Sequence, residues 1–181
     1  MVLELGPTAH ATDMSREEHL RASSGIVVRC AVVTLSDTRT EATDKSGKAI
    51  RDLLTGAGNE IVHYQIIPDE PAELKKLLDE LLNRTAIDTI LTNGGTGISK
   101  RDQTISVVQN LLDRELPGFG ELFRMLSWEQ VGSAAMLSRA VGGVAKGKLL
   151  FAMPGSTKAV ELAMTRLILP ELKHLIAELR K

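Results

Sequence analysis

The sequence is short of three features that would each indicate a class of protein: cysteine, an excess of one charge, and long apolar runs. The single cysteine, Cys30, excludes a disulfide within the chain, and the four histidines are too scattered for a zinc site. The 22 basic and 23 acidic side chains nearly cancel, so we expect no long-range attraction to nucleic acid or to an anionic membrane. An anionic ligand would therefore have to be held by local groups.

No apolar run approaches the roughly 20 residues of a membrane span, and the first ten residues lack the pattern of a signal peptide. We therefore expect a soluble, cytoplasmic protein. The 181 residues, 43% of them hydrophobic, fit one compact domain with a short extension. Residues 1–25 have no sustained apolar period and are interpreted as a flexible arm with a helical turn near residues 15–20, followed by an α/β domain over residues 26–181.

Strand and helix signals alternate along the domain. Residues 26–36, 60–68 and 87–93 are rich in β-branched and apolar residues, which predicts strands buried on both faces. Apolar residues at helix spacing predict helices around residues 50–57 and 74–82, then around 107–113 and 118–126. A strand over residues 148–153 and helices split at Pro170 complete the pattern. This alternation predicts a parallel sheet covered by helices, with ligands at the carboxyl ends of the strands.

Four polar loops leave predicted strands and would lie at that edge: "SDTRTEATDKSG", "PDEP", "NGGTGISKRDQT" and "PGSTKA". In the third loop, Gly94, Gly95 and Gly97 can adopt positive φ and expose N–H groups to an anion, and Thr96 adds a hydroxyl. A plain tight turn explains a glycine cluster equally well. The loop matches neither the P-loop pattern nor the dinucleotide-binding pattern, which disfavours both kinds of nucleotide site.

Two aspartates in these loops have two interpretations each. Asp102 follows the glycine cluster and Asp69 ends a strand, so the pair could hold one Mg²⁺ against a phosphate if the sheet brings their loops together. Each could instead cap the helix that follows it, and Asp is a favoured cap. Spacing alone favours the cap for Asp102 and leaves Asp69 undecided.

The remaining candidates carry weaker signals. Ser36 and Asp37 lie at the end of the first strand, and Ser156 begins a helix, where it could bind an anion or act as a simple cap. Cys30 is expected in the core and Trp128 is expected to pack against the domain, so neither is given a chemical role.

Several separated motifs together resemble one family. "LTNGGTGISKRDQT", "DRELPGFGELFRMLS", "LSRAVGGV" and "LFAMPGSTKA" occur in that order and are similar to the MoaB/MogA family of molybdenum cofactor biosynthesis proteins, the MoaB branch in particular. The similarity runs from about residue 27 to about residue 170. It implies a three-layer α/β/α domain with a mostly parallel central sheet, the molybdopterin-binding fold, assembled as a trimer or hexamer.

The resemblance also implies a reaction and a site. Active members transfer AMP from Mg·ATP to the terminal phosphate of molybdopterin, and their two catalytic acids correspond to Asp69 and Asp102, which would also place the Mg²⁺. Arg139 could instead pair with a carboxylate across a subunit contact. The residues implied to line the molybdopterin and nucleotide pocket are Ser36, Asp37, Gly94, Gly95, Thr96, Gly97, Ser138, Arg139, Gly155 and Ser156.

Two alternatives of the same fold stay open. Some MoaB-type members are thought to have lost catalysis, which would make the chain a silent molybdopterin-binding or carrier protein. The fold also serves as an assembly module in larger chains, although the length of this one argues against that role. A molybdenum insertase is the further partner that the resemblance implies.

Overall fold

The computed structural model describes residues 25–181, so the predicted arm, apart from Gly25, lies outside the described residues. The strands are β1 (Arg29–Leu35), β2 (Glu60–Ile67), β3 (Thr89–Asn93), β4 (Arg114–Glu115), β5 (Val141–Ala145) and β6 (Lys148–Met153). The α-helices are α1 (Lys45–Gly56), α2 (Pro71–Leu82), α3 (Thr104–Gln109), α4 (Pro117–Val131), α5 (Thr157–Ala163) and α6 (Leu169–Leu179). A 3₁₀-helix over Gly132–Leu137 follows α4, and a π-helical segment over Met164–Ile168 joins α5 to α6.

The six strands form one mixed sheet in the order β2-β1-β3-β6-β5-β4. The four strands β2, β1, β3 and β6 are parallel, whereas β5 runs antiparallel to both of its neighbours. The prediction of a mostly parallel sheet is confirmed. Because the four parallel strands are adjacent, the loops after them meet at one edge.

Alternate side chains of the central strands build two apolar cores. On β1, Cys30 and Val32 face one core, and Ala31 and Val33 face the other. Helices α1, α4, α5 and α6 cover the first face, and α2 and α3 cover the second. The predicted three-layer α/β/α architecture is therefore confirmed, and Cys30 is a fully buried core residue whose pKa is raised by burial to about 12.

Two predicted elements differ from the structure. Strand β2 lies at an edge of the sheet and most of its side chains are only partly buried, so the prediction of burial on both faces is wrong for this strand. Helix α3 spans Thr104–Gln109 rather than residues 107–113. It ends early because the chain turns toward β4, where the N–H of Asp113 donates to the carbonyl of Val144 at 2.8 Å.

The predicted break at Pro170 takes the form of the π-helical segment just before it. A proline in an α-helix clashes with the carbonyl four residues earlier and donates no N–H, and a π turn is one way a helix accommodates this. No helix among residues 25–181 has the length and apolar character needed to cross a membrane.

One side of α4 is buried and the other presents apolar side chains to solvent. Phe119 and Phe123 pack into the core, whereas Trp128 is 61% exposed, so the prediction that Trp128 packs against the domain is wrong. A stripe at three-residue spacing, which we call the α4 stripe, consists of Leu122, Met125, Trp128 and Val131.

An ionic cluster lies at the end of the sheet opposite the four loops, where β1 and β3 begin. The carboxylate of Asp88 accepts two hydrogen bonds from the guanidinium of Arg29 at 2.9 Å and one from Arg180, at the end of α6, at 3.1 Å. Burial alone would raise the pKa of Asp88, but the hydrogen bonds from Arg29 outweigh it and lower the pKa to about 2. The cluster ties β1, the start of β3 and α6 together.

We predict that Asp88→Asn lowers the free energy of unfolding by about 2–3 kcal/mol at neutral pH, because it removes charge-assisted bonds from a mostly buried site. The folded-state pKa lies below the ordinary value of 3.8, so the wild-type advantage is present above that pH and is lost as the pH falls through about 2. Urea unfolding of both proteins at neutral and acidic pH measures this. A difference that stayed constant down to the lowest pH would contradict it.

Candidate functional site

The four polar loops meet as predicted at the carboxyl edge of the parallel strands. Asp37 follows β1, Asp69 follows β2, the turn over residues 94–97 follows β3, and Gly155 follows β6. Strand order brings them together, since β2, β1, β3 and β6 are neighbours. We call residues 94–97 the glycine turn.

The glycine turn presents unpaired backbone donors. Gly94 and Gly95 have φ angles of 103° and 60°, which side chains rarely allow. The N–H of Gly94 donates to the carbonyl of Met153 at 3.1 Å, whereas the N–H groups of Gly95 and Thr96 donate to no protein atom in residues 25–181. The turn therefore has two N–H groups without a protein acceptor in this part of the chain, which we call the open N–H groups, and this favours the ligand-binding interpretation over a plain turn.

Asp69 lies directly against the glycine turn. A Cβ atom on Gly95 would stand 2.4 Å from Oδ1 of Asp69 and 2.3 Å from Oγ1 of Thr104. The hydroxyl of Thr104 is buried and has no hydrogen-bond partner within the described residues. The absence of a side chain at Gly95 therefore leaves room for a carboxylate and an unsatisfied hydroxyl beside the open N–H groups.

Asp102 closes the other end of the same loop. Its Oδ2 accepts a hydrogen bond from the N–H of Ser99 at 2.8 Å and would lie 2.7 Å from a Cβ atom on Gly97. Neither aspartate caps a helix, because the N-cap positions of α3 and α2 are Gln103 and Glu70. The capping alternative for both aspartates is therefore wrong.

The two aspartates have opposite pKa shifts. Burial, followed by the nearby charges of Asp102 and Asp37, raises the pKa of Asp69 above its usual range. Hydrogen bonds from Ser99 hold the pKa of Asp102 below its usual range. The carboxylates of Asp69 and Asp102 are thus close enough to repel each other, and a cation between them would relieve that repulsion.

The oxygen atoms of this site suit Mg²⁺ that keeps water and phosphate ligands, and they are too few for a metal ion held by protein side chains alone. No group of three or more His, Cys, Asp or Glu side chains within residues 25–181 is arranged to hold a metal ion. Mg²⁺ is commonly bound by one or two carboxylates together with substrate phosphates and water. Asp69 and Asp102, with the unsatisfied hydroxyl of Thr104 beside Asp69, meet that description.

Arg101 joins three of the loops, a role that the sequence analysis did not assign. Its guanidinium pairs with Asp37 at 3.1 Å and with Glu70 at 2.8 Å, and it approaches the carbonyl of Asp69 at 3.4 Å. Asp37 also accepts from the N–H of Asp69 at 3.0 Å, so its carboxylate is occupied by protein donors. The charged run from Lys100 to Asp102 was the available signal, but the partners of Arg101 lie in the loops after β1 and β2.

Arg139 binds backbone carbonyl groups of the glycine turn and of the residues that follow it. It donates to the carbonyl of Thr96 at 3.0 Å and to the carbonyl of Asp102 at 3.1 Å. These contacts lie within one chain, so the described structure pairs Arg139 with carbonyl groups rather than with a carboxylate. The guanidinium fixes both ends of the loop that carries Asp102.

The predicted serines are divided between two places. Ser36 accepts from the N–H of Arg39 at 3.1 Å and so shapes the first loop. Ser156 accepts from the N–H of Ala159 at 3.2 Å, which confirms its capping of α5. Ser138 and Ser156 share a groove of about 820 Å³ that neither aspartate lines, and Lys158 and Arg166 also line it.

A buried polar network that was not predicted from the sequence lies next to the site. Asp44 is a fully buried N-cap of α1, and Arg39 reaches from the first loop to the carbonyl of Gly155 at 2.9 Å. Both residues stand within "SDTRTEATDKSG", where Asp44 could have been recognised as a helix cap. Its burial and its partners depend on long-range packing.

Comparison with known proteins identifies related sequences. The family model described as a probable molybdopterin binding domain matches residues 31–174. Molybdenum cofactor biosynthesis protein B of Halalkalibacterium halodurans is 53% identical over 169 residues, which cover 93% of this chain and 99% of the relative. The protein of the same name from Bacillus subtilis is 49% identical, with the same coverage.

Solved structures give the same result. A crystal structure of a molybdenum cofactor biosynthesis protein B superposes with a TM-score of 0.84 at 52% identity and covers 86% of this chain and 97% of its own. The tungsten cofactor synthesizing protein MoaB from Pyrococcus furiosus gives a TM-score of 0.77 at 37% identity, covering 86% of this chain and 98% of its own.

We predict that Gly95→Ala lowers the free energy of unfolding by about 2–4 kcal/mol, because the new methyl group collides with Asp69 and Thr104 in addition to straining the backbone. Gly58→Ala is the matched control. Gly58 has a φ of 75°, and a methyl group added there would meet nothing within 4 Å, so this variant isolates a backbone cost of about 1 kcal/mol. Urea unfolding measures both, and equal losses would contradict the collision.

We predict that Asp69→Asn raises the free energy of unfolding at neutral pH by about 0.5–1 kcal/mol, since it removes a partly buried charge that faces two other carboxylates. The folded-state pKa of Asp69 is raised, so the gain is complete above that raised pKa and shrinks to nothing as the pH falls from it to the ordinary value of 3.8. Asp102→Asn should give no such gain. A loss of stability in Asp69→Asn at neutral pH would contradict the electrostatic account.

Proposed function

The chain belongs to the MoaB/MogA family of molybdenum cofactor biosynthesis proteins, and we propose that it is a molybdopterin adenylyltransferase. In the proposed reaction, it transfers AMP from ATP to the terminal phosphate of molybdopterin. The observation that carries the proposal is that Asp69 lies against Gly95 and Asp102 against Gly97, in one turn whose Gly95 and Thr96 N–H groups have no acceptor among the described residues. Family membership supports molybdopterin as the ligand of this site.

The proposed reaction joins two anions. An oxygen of the terminal phosphate of molybdopterin attacks the α-phosphorus of ATP, the bond from that phosphorus to the bridging oxygen breaks, and pyrophosphate leaves. A phosphate nucleophile is already deprotonated at neutral pH, so no general base is required. The protein must instead bring the two reactants together and offset their repulsion.

The residues of the site match those requirements. Asp69 and Asp102 would hold Mg²⁺, which when bound neutralises charge on the reacting phosphates. The N–H groups of Gly95 and Thr96 would donate to phosphate oxygens without having to break a bond to the protein. Arg139 keeps that donor surface and the Asp102 loop in one arrangement, since it binds a carbonyl in each.

We predict that Asp69→Asn and Asp102→Asn each lower the rate of pyrophosphate release at least about 100-fold, because each removes half of the carboxylate pair that would hold the cation. The assay combines purified protein with molybdopterin, ATP and Mg²⁺ and measures pyrophosphate and adenylated molybdopterin. Asp52→Asn is the control, because Asp52 is an exposed carboxylate on α1 away from the site. It should leave the rate unchanged.

Two results would contradict the assignment. Full turnover by Asp102→Asn would remove that carboxylate from the reaction. Tight binding of molybdopterin by the wild-type protein without release of pyrophosphate would instead favour the silent carrier. The proposed product, adenylated molybdopterin, is the form that a molybdenum insertase would receive.

Self-assembly is the second part of the proposal. The α4 stripe is exposed on the described structure, and the exposed side chains of Met136 and Leu137 follow it in the chain. Contiguous apolar surface of this kind marks protein interfaces. We therefore propose that the stripe is buried between copies of the chain in the expected trimer or hexamer.

We predict that Met125→Glu converts the assembly to monomers, because a charge in an apolar contact costs several kcal/mol of association free energy. Sedimentation velocity at micromolar concentration measures the mass. Val27→Glu is the control, since Val27 is equally exposed but lies outside α4. A wild-type protein that sediments as a monomer would contradict the proposal.

A further inference from the structure

A charged network beneath the site connects the loops after β1, β3 and β6. The guanidinium of Arg39 donates to Oγ of Ser46 at 2.6 Å, to Oδ1 of Asp44 at 3.3 Å and to the carbonyl of Gly155 at 2.9 Å. One side chain therefore joins α1 to the loop that begins α5. Nη1 binds the neighbouring Asp44 and Ser46 while Nη2 binds Gly155, and two separate nitrogens of this kind are what the rigid fork of a guanidinium provides.

The carboxylate of Asp44 anchors this network. Its side chain is fully buried and accepts from the hydroxyl of Thr34 at 2.6 Å, the hydroxyl of Tyr64 at 2.8 Å and the N–H of Gly47 at 3.0 Å. Burial alone would raise the pKa of Asp44, but these hydrogen bonds outweigh it and lower the pKa below its usual range. Asp44 is thus a fixed negative charge beside Arg39.

The network reaches the glycine turn at two points. The hydroxyl of Ser46 lies 2.7 Å from Oδ1 of Asn93, the residue just before the turn. Gly155, whose carbonyl Arg39 binds, stands so close to Gly94 that a Cβ atom on it would lie 3.1 Å from Cα of Gly94. The position of Gly155 therefore limits where the turn can lie.

We propose that Arg39, oriented by Asp44, is a positioning residue for the glycine turn. By binding the carbonyl of Gly155 it sets the contact between Gly155 and Gly94, and with it the direction of the open N–H groups of Gly95 and Thr96. The consequence for turnover rests on the proposed function, whereas the effect on the turn does not. Arg39 has 32% of its side chain exposed, so direct contact with a substrate phosphate is the competing role to be tested.

The first measurement is amide hydrogen exchange by NMR on the full chain. The N–H of Gly94 is bonded to the carbonyl of Met153, so its exchange reports the order of the turn. We expect Arg39→Gln to speed exchange at Gly94 about tenfold or more while exchange at Ile90, in the centre of the sheet, is unchanged. Lys48→Gln is the control because it removes an exposed cation from α1, and it should change neither amide.

The second measurement is steady-state kinetics, which distinguishes a positioning role for Arg39 from direct binding of a substrate phosphate. If Arg39 positions the turn, Arg39→Gln lowers kcat by about 10–100-fold with little change in KM for ATP, and Arg39→Lys does not restore it, since an ammonium lacks the fork. If Arg39 is a phosphate ligand, KM rises, Lys restores it in part and exchange at Gly94 stays at the wild-type rate. That second pattern would overturn the proposal, as would wild-type behaviour in both measurements.

Failure of the proposed function can be distinguished from failure of the role proposed for Arg39. A wild-type protein without turnover would overturn the proposed function, while exchange at Gly94 would still decide the role of Arg39. If Arg39→Gln does not fold, Arg39→Lys replaces it, because an ammonium keeps a positive charge beside Asp44 but lacks the fork that also reaches the carbonyl of Gly155. Faster exchange at Gly94 in that variant supports the proposal, and an unchanged rate contradicts it.

Discussion

The close approach of Asp69 and Thr104 to Gly95 is the constraint on which the rest of the site depends. The space that a side chain at Gly95 would need is occupied by a carboxylate and a buried hydroxyl without a partner in the described part of the chain. The positive φ of Gly95 and its missing Cβ are therefore both necessary. This arrangement places negative charge and open N–H donors side by side, which is the combination that a metal-bound phosphate requires.

Such a site costs stability, and the surrounding contacts offset part of that cost. Burial, followed by the charges of Asp102 and Asp37, raises the pKa of Asp69. Arg101 supplies positive charge on the surface, and Arg139 binds the backbone of the glycine turn at Thr96. At the opposite edge of the sheet, the fold stabilises the carboxylate of Asp88, and its pKa is lowered rather than raised. The proposed site and the stabilising Asp88 cluster thus lie at opposite edges of the sheet.

Much of the fold followed from local patterns, and the errors have physical causes. Strands β1, β2, β3 and β6 and the helices that cover them were predicted because apolar residues repeat at strand or helix spacing, whereas β4 and β5 were not predicted. Burial of β2 was overestimated since periodicity does not show which strand lies at an edge. Trp128 was expected to pack against the domain, but α4 turns its other side to the core. For Asp69 and Asp102, spacing could not decide for or against a helix cap, whereas the structure excludes the cap because Glu70 and Gln103 hold the N-cap positions.

The sequence by itself determined which residue types stand at the ends of the strands: glycines with free φ, two aspartates, and serines at helix starts. These are short-range properties, set by the side chain and its neighbours along the chain. Only the tertiary structure decided that Asp69 meets Gly95, that Arg101 joins three loops and that Arg39 reaches Gly155 across 116 residues of sequence. Those contacts follow from the order of the strands, which is set by the packing of both faces of the sheet and leaves no local mark in the chain.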